Sequence, residues 1–259
     1  MSFFKRLGAS LGIGAATVET VLQSNQYRPG EKVQGVIYIK GGSVDQEIDD
    51  IELHLLTRYA VEKDDQRIYQ NAKIASYRVV NSFTIRPNEK RELPFSFTLP
   101  LDTPITFGHT TVWLNTELDI EDGVDKEDND YIQVLPHSFT AIVLEAVQSL
   151  GFRLHEADCE HAPYFRRRLP FVQEFEFVPS SAKYRNRLDE VEVVCHVEPH
   201  GIEVALEIDR KARGITGWLE EKYGMDERLV RVYLSNQEMQ QGSAYVARKL
   251  QDIIDRHSR

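Results

Sequence analysis

Two stretches in which apolar and polar side chains alternate constrain this chain more than any other feature of its sequence. The first covers residues 92–100, and the second covers residues 112–120 after a turn rich in proline, glycine and threonine. The apolar residues of the first stretch are Leu93, Phe95, Phe97 and Leu99. This period of two is typical of β-strands with one solvated face. Pro94 and Pro100 predict the points at which the first strand stops pairing.

The rest of the first half repeats this pattern. A Pro29-Gly30 turn opens a strand whose inward residues alternate over 33–39, and a longer strand follows over 51–59. The predicted inward residues are Val33, Gly35, Ile37 and Ile39, then Ile51, Leu53, Leu55, Thr57 and Tyr59. Residues 81–85 predict a weaker strand, and an acidic connection runs from Asp119 to Asp130.

The second half combines helices and strands. Ser138 is predicted to cap a helix that ends at Gly151, because its apolar residues recur at the helical interval. Strands are predicted at residues 171–178, 191–197, 202–208 and 229–234. In the third of these, one face is apolar and the other is charged. A final helix follows, with Ser235 and Glu238 as a capping box.

These elements predict a mainly β protein with two β-sandwiches in tandem, a short helix at the start of the second, and a C-terminal helix. The predicted domains are residues 1–135, 136–234 and 235–259, the last being the helix. With 259 residues and 41% hydrophobic composition, the chain can bury a core in each half.

The charge and cysteine content limit the possible partners. The formal net charge of −10 argues against binding to nucleic acid, which needs a basic face. Two cysteines, Cys159 and Cys195, are too few for a disulfide framework and indicate a reducing, cytoplasmic location. The glycine-broken start is a poor signal peptide, and no apolar run is long enough to span a membrane.

Several motifs resemble known proteins in combination. The segments 27–35 and 93–100 resemble the amino-terminal domain of arrestin-like proteins. Further segments resemble one bacterial branch, the sporulation-control protein family. Those segments are residues 12–16, 39–42, 118–120, 130–134, 150–152, 166–177 and 207–210. The resemblance covers nearly the whole chain and implies two arrestin-like β-sandwich domains in a cytosolic regulator that acts early in sporulation, without known catalysis or cofactors.

Two short motifs resemble catalytic or nucleotide-binding sequences. Ser10 lies in a Gly-x-Ser-x-Gly pattern, but a nucleophile elbow needs a preceding strand, and none is predicted. Gly12 and Gly14 lack the strand that a dinucleotide-binding loop requires. We therefore predict no catalytic residue.

The segment from His155 to His161 contains several residue types that bind metals. In an extended strand, His155, Cys159 and His161 would share one face and suit a borderline or soft ion. A fourth ligand is missing, so a polar strand and loop is the favoured interpretation, and we predict no metal site. A metal-binding function for this segment is retained as an alternative.

The acidic run at residues 119–130 lacks the spacing of a calcium loop, so a solvated connection is the default interpretation. A second hypothesis is a charged contact between the domains. It would join Asp128 and Asp130 to Arg166, Arg167 and Arg168.

Two apolar features are candidate partner-binding sites. Trp218 and Leu219 lie in a segment bounded by glycines, where packing within the domain competes with binding to a partner. Phe3 and Phe4 precede Lys5-Arg6 and could touch a membrane surface, although docking on protein is favoured.

The sequence thus predicts a non-enzymatic regulatory scaffold that binds an unidentified protein through strand edges, with a homodimer formed by edge pairing as a further prediction. A membrane-peripheral or trafficking-type adaptor is the alternative.

Overall fold

The computed structural model describes residues 14–64, 66–121, 124–210 and 229–258. The fold is mainly β, as predicted, with a helix after residue 137 and a helical C-terminal segment. The strands are β1 Thr17–Leu22, β2 Gln26–Tyr27, β3 Lys32–Lys40, β4 Gln46–Lys63, β5 Gln66–Val80, β6 Phe83–Ile85, β7 Lys90–Thr98, β8 Val112–Ile120, β9 Lys126–Val134, β10 Phe152–His161, β11 Phe171–Pro179, β12 Leu188–Glu198, β13 Gly201–Arg210 and β14 Leu229–Ser235. The helices are α1 Ser138–Ser149, α2 Asn236–Met239 and α3 Ser243–His257, and Pro163–Phe165 form a 3₁₀ turn.

The described residues divide into two compact units. Those up to 58, with 69–106 and 111–135, form the first unit, and 59–68, 107–110 and those from 136 onward form the second. Residues 59–68 and 107–110, which the sequence assigns to the first domain, lie in the second unit because they contact β10. Ala60 pairs with Glu160, and the Thr110 hydroxyl lies 3.9 Å from the Cys159 sulfur.

The first unit contains a three-stranded antiparallel sheet in the order β1-β3-β7. The four residues predicted to face inward on β3 are all buried, and their neighbours are exposed or half-buried. On β7, Phe97 is buried, as is Leu99 just after the strand, while Leu93 and Phe95 are half-buried. The predicted alternation of both strands is therefore confirmed.

The prediction that Pro94 ends pairing is wrong. β7 begins at Lys90, and Pro94 lies within it, opposite Val36 of β3. Because β7 is the outer strand of its sheet, the missing proline N–H does not interrupt a ladder on its other side.

The acidic connection is also partly a strand. β9 begins at Lys126 and pairs with β8 from Val112 to Leu118, so much of the run 119–130 belongs to a hairpin. Asp128 and Asp130 are half-buried on the face that continues into buried Ile132 and Val134. A hydrogen bond explains why Asp128 is tolerated there, since its carboxylate accepts from the Thr20 backbone N–H at 2.6 Å. The sequence analysis also missed β5, which has few buried apolar positions.

In the second unit, β10 to β14 form an antiparallel sheet in the order β14-β13-β12-β11-β10. The apolar face of β13 is buried as predicted, with Ile202, Val204 and Leu206 inaccessible to solvent. Helix α1 contacts β10, β12, β13 and α3, so the helices contribute to the layer that covers the sheet.

The helix ends differ in detail from the predictions. The N-cap of α1 is His137 and not Ser138, because the His137 Nδ1 accepts a hydrogen bond from the Phe139 N–H at 3.2 Å. Gly151, at φ +93°, follows the helix as predicted.

The Ser235–Glu238 capping box is present, but α2 ends at Met239, and Gly242 at φ +81° separates it from α3. The predicted single C-terminal helix is therefore two helices. No helix in the described parts of the chain is long and apolar enough to cross a membrane.

Candidate functional site

A dense group of ionisable side chains in the second unit lies on the sheet face opposite its apolar core. The register between paired strands brings these groups together. Glu156, Glu176, Glu192 and Glu207 occupy directly paired positions across β10, β11, β12 and β13. Directly opposed residues on one face of an antiparallel pair have Cβ atoms about 5 Å apart. Four glutamates from four strands therefore form one continuous row.

A second set of acids lies beside this row. Asp158 of β10 pairs with Glu174 of β11, and Glu160 lies two residues further along β10. Glu190 lies two residues before Glu192 and pairs with Asp209 of β13. We call these residues together with the row the acidic face. Its members are Glu156, Asp158, Glu160, Glu174, Glu176, Glu190, Glu192, Glu207 and Asp209.

A cavity of about 350 Å³ opens over this face. Its wall includes Glu62 and Arg67 from the 59–68 segment and His161 and Tyr164 near the end of β10. The Arg67 guanidinium binds the Asp158 carboxylate at 2.7 Å and also binds Glu160. Asp158 is only 5% exposed, so this ion pair compensates the most deeply buried charge of the site.

The adjoining part of the same face is apolar and covered. The 3₁₀ turn places Phe165 over Val172, Val194 and Ala205, which form a small buried cluster. The Arg231 guanidinium lies over the Phe165 ring, 4.8 Å from its centroid. Water is therefore excluded from one border of the acidic face, which lowers the local dielectric around its nearest carboxylates.

The electrostatics follow from this crowding. Burial, together with the nearby Glu174 and Glu207 carboxylates, raises the pKa of Glu192 to about 8. Burial and the Glu160 and Glu207 charges raise the pKa of Glu174 to about 7. The pKa of Glu190 is also raised to about 7, by burial and by Glu176. Carboxyl groups of this kind can exchange protons near neutral pH.

Two further groups at the border shift in the same direction. The pKa of Glu160 is raised by burial, although Arg67 opposes this shift. The pKa of Tyr164 is raised to about 12, chiefly by burial and then by the Glu174, Glu207 and Glu192 charges. The phenol is therefore neutral at physiological pH.

The structure does not bring together the residues of the alternative metal site in the His155–His161 segment. A register shift between Leu154 and Glu156 interrupts the alternation at His155, which is exposed. Cys159 is buried against Thr110, and burial raises the pKa of its thiol above the usual value. Within the described ranges, no cluster of three or more His, Cys, Asp or Glu side chains has a metal-binding arrangement.

The acids and arginines proposed for an interdomain contact have partners or neighbours within their own units. Asp128 accepts from Thr20 at 2.6 Å, and burial with the Asp128 and Glu19 charges raises the pKa of Asp130 to about 6. Arg167 binds Glu203. Arg166 adopts a left-handed backbone conformation at φ +50°. These contacts do not test the predicted contact with Arg166, Arg167 and Arg168, which stays a prediction.

The remaining candidates lie outside the described residues. They are Phe3, Phe4, Ser10, Gly12, Trp218 and Leu219. Their predicted roles as partner-binding residues, or as chance motif matches, stay predictions.

Sequence reasoning detected a charged side on β13 but missed the acidic face as a whole. The sequence does indicate an acidic side on three strands, because two acids lie two residues apart in each. These pairs are Glu174 and Glu176, Glu190 and Glu192, and Glu207 and Asp209. Each pair is ordinary for a strand with one solvated face. Only the register between strands places the pairs opposite one another, and register cannot be obtained from any one strand.

The comparisons with a family, a curated relative and a solved structure agree with one another. The family described as SpoOM protein matches residues 4–212. The sporulation-control protein spo0M of Bacillus subtilis (strain 168) is 53% identical over 258 residues, covering all of both chains. The crystal structure of Spo0M from Bacillus subtilis is similar with a TM-score of 0.87 and 52% identity, covering 94% of this chain and 99% of that chain.

Proposed function

Because the chain belongs to the SpoOM protein family, we propose that it is a regulator of sporulation that acts in the cytosol by binding another protein, without catalysis of its own. The family membership supports the sporulation role, since the relative that is 53% identical over the full length carries the name of a sporulation-control protein. The binding mechanism is supported by one feature of the second unit, the outer strand β14.

Strand β14 has β13 on one side and, among the residues that the structure describes, no strand on the other. Its sequence from Leu229 to Ser235 is rich in valine, leucine and tyrosine and contains no proline. Tyr233 is 47% exposed on this strand. An outer strand of this composition presents backbone groups that can pair with an extended segment of a partner.

The outer strand β7 of the first unit differs from β14 in the features that govern pairing. It contains Pro94 and begins with the charged residues Lys90, Arg91 and Glu92. Prolines and charges at sheet edges hinder the addition of another strand. The contrast favours β14 over β7 as the binding edge.

The experiment introduces a charge at the β14 edge. Tyr233 pairs with Glu203 of β13, so Tyr233→Lys places an amine opposite a carboxylate and is compatible with folding. The matched control is Tyr131→Lys, because Tyr131 is 67% exposed on β9, a strand of the first unit that pairs with β8 along most of its length and with β2 at Gln133 and Val134.

Both variants are expressed in a spore-forming bacterium that lacks its own copy of the gene, and heat-resistant spores are counted. We expect the unmodified chain and Tyr131→Lys to restore sporulation, and Tyr233→Lys to fail while its circular dichroism stays unchanged. Normal sporulation without the gene would contradict the regulatory role. Full restoration by Tyr233→Lys would contradict the edge mechanism.

A photo-crosslinking amino acid at position 233 tests binding directly. It should yield a covalent adduct with a cellular protein, whereas the same amino acid at position 131 should not. If the adduct contains two copies of this chain, the partner is a second copy, in agreement with the predicted homodimer. Sedimentation velocity should then show a concentration-dependent dimer that Tyr233→Lys abolishes.

A further inference from the structure

The acidic face has its weakest backbone support where its charges are most crowded. The pairing of β11 with β12 extends only over residues 174–177 and 191–194. By comparison, β10 pairs with β11 from Phe152 to His161, and β12 pairs with β13 from Leu188 to Glu198. Glu176 and Glu192 lie directly opposite each other within the short ladder.

Like charges directly opposite each other in a sheet are destabilising. The carboxyl groups around Glu192 come from every strand next to it. They are Glu174 and Glu176 on β11, Glu190 on β12, and Glu207 and Asp209 on β13. Glu174 in turn faces Asp158 and Glu160 on β10. Glu156 closes the row on the same strand.

The surrounding elements offer fewer cations than carboxylates. Arg67 from the 59–68 segment binds Asp158 and Glu160, at the β10 side of the cavity. Arg231 of β14 lies over Phe165 and 3.9 Å from Glu203. The other titratable groups at the cavity wall are His161, Glu62 and the neutral phenol of Tyr164.

We propose that the acidic face is a pH-sensitive seam in the second unit, in which loss of protons from its glutamates weakens the pairing of β11 with β12. When neighbouring carboxyl groups share protons, they can lie close together and donate hydrogen bonds to one another. When the protons leave, the carboxylates repel across the shortest ladder of the sheet. The cavity gives solvent access to the face, so protons can enter and leave without unfolding of the unit.

The pKa values of Glu174, Glu190 and Glu192 support this geometry, since they place the transition between about 7 and about 8. Each value is raised above that of the unfolded chain. Between pH 4.5 and about 8 the folded protein therefore binds more protons than the unfolded chain, so the stability of the seam falls as pH rises through this interval and levels off above it.

Hydrogen exchange of the full chain, followed by mass spectrometry from pH 6 to pH 9, tests the proposal. After correction for the intrinsic exchange rate, we expect the opening equilibrium of peptides covering β11 and β12 to rise about tenfold over this range. Peptides covering β3 and β7 in the first unit should show no such rise.

Two variants assign the effect to the acidic face. Glu192→Gln should remove most of the pH dependence, with protection somewhat above that of the unmodified chain at pH 6 and further above it at pH 9. The matched control is Glu203→Gln, on the same face of β13, because Glu203 binds Arg167 and lies near Arg231. This control should keep the pH dependence.

The proposal would be overturned by pH-independent protection of β11 and β12, or by full pH dependence in Glu192→Gln. Carbon-13 NMR of labelled glutamate gives an independent readout that does not depend on opening. We expect a carboxyl signal that titrates near pH 8 and is missing in Glu192→Gln. Titration of all glutamates near their ordinary pKa would also overturn it.

Discussion

Asp128, in the acidic hairpin of the first unit, and Glu192, on the acidic face of the second unit, have different electrostatic environments. In the hairpin, Asp128 accepts a backbone hydrogen bond from Thr20, and Asp125 accepts one from the Ile120 N–H at 3.2 Å. On the acidic face, Glu192 is surrounded mainly by other carboxyl groups. The acids of the hairpin lie close together within residues 119–130, whereas those of the acidic face are dispersed over four strands.

The comparison shows that a run of acids in sequence does not by itself create electrostatic strain. A strand alternates its side chains between two faces, so consecutive acids separate and can find different donors. Dispersed acids meet when strands align in register. The expected effects of substitution therefore differ in sign between Asp128 in the hairpin and the glutamates of the acidic face.

The largest expected effect is a loss of stability in the first unit. Asp128→Ala removes the acceptor for the Thr20 N–H, and Thr20 is only 4% exposed. A buried donor left without its partner costs about 2 kcal/mol of unfolding free energy. Urea denaturation at pH 7.5 measures this loss of unfolding free energy. Asp128→Asn keeps an acceptor oxygen and should lose less. Equal stability of Asp128→Ala and the unmodified chain would contradict the assignment of this bond.

On the acidic face, we expect that substitution of a glutamate raises the stability of the protein. Glu174→Gln removes a group with a pKa of about 7, compared with 4.5 for the ordinary group. Its ionisation lowers stability as pH rises from about 4.5 to about 7. The variant should therefore be more stable than the unmodified chain by roughly 1 kcal/mol at pH 8.5, after allowance for solvent screening. Below pH 4.5 the gain should vanish. A constant difference at all pH values would indicate a packing effect.

A substitution at Asp130 tests whether the groups around an acid, and not the unit in which it lies, decide if its removal raises or lowers the stability of the protein. It lies in the first unit, but its pKa is raised to about 6 by burial and by Asp128 and Glu19. In the described part of the chain, its buried Oδ2 has no hydrogen-bond partner. Asp130→Asn should therefore stabilise the protein by about 0.5 kcal/mol above pH 6, and less as pH falls to 3.8. Thermal unfolding of the variant and of the unmodified chain at pH 4 and pH 8 measures this difference. A variant that is less stable than the unmodified chain at pH 8 would contradict the expectation.

The smallest expected effect concerns Glu238, an acid of the second unit whose ionised form is stabilised by hydrogen bonds. Hydrogen bonds from Lys249 and from the Ser235 backbone and hydroxyl lower the pKa of Glu238 to about 2. This group contributes stability above pH 4.5, which is lost as pH falls through 2. Glu238→Gln should lower the stability at pH 7 by a few tenths of a kcal/mol, because the carboxylate is partly accessible to solvent and its interactions are screened. The variant should also show a weaker loss on acidification. An increase in stability would contradict the capping role.

Much of the fold could be predicted from single strands. The alternation over β3 and the apolar face of β13 identified their buried residues, and Ser235 with Glu238 identified the start of α2. Predictions failed where a residue has two compatible environments. Pro94 can end a strand or lie in an outer one, and acids can form a loop or a hairpin.

The sequence by itself determined which residues face inward, because the period of two depends on neighbouring residues along one strand. It also determined that β13 has one charged side. Only the tertiary structure decided that Glu156, Glu176, Glu192 and Glu207 lie in one row, and that Arg67 reaches Asp158. A shift of one residue in the register of one strand would place its acids on the opposite face. The charge of the acidic face therefore depends on pairing between strands distant in the chain.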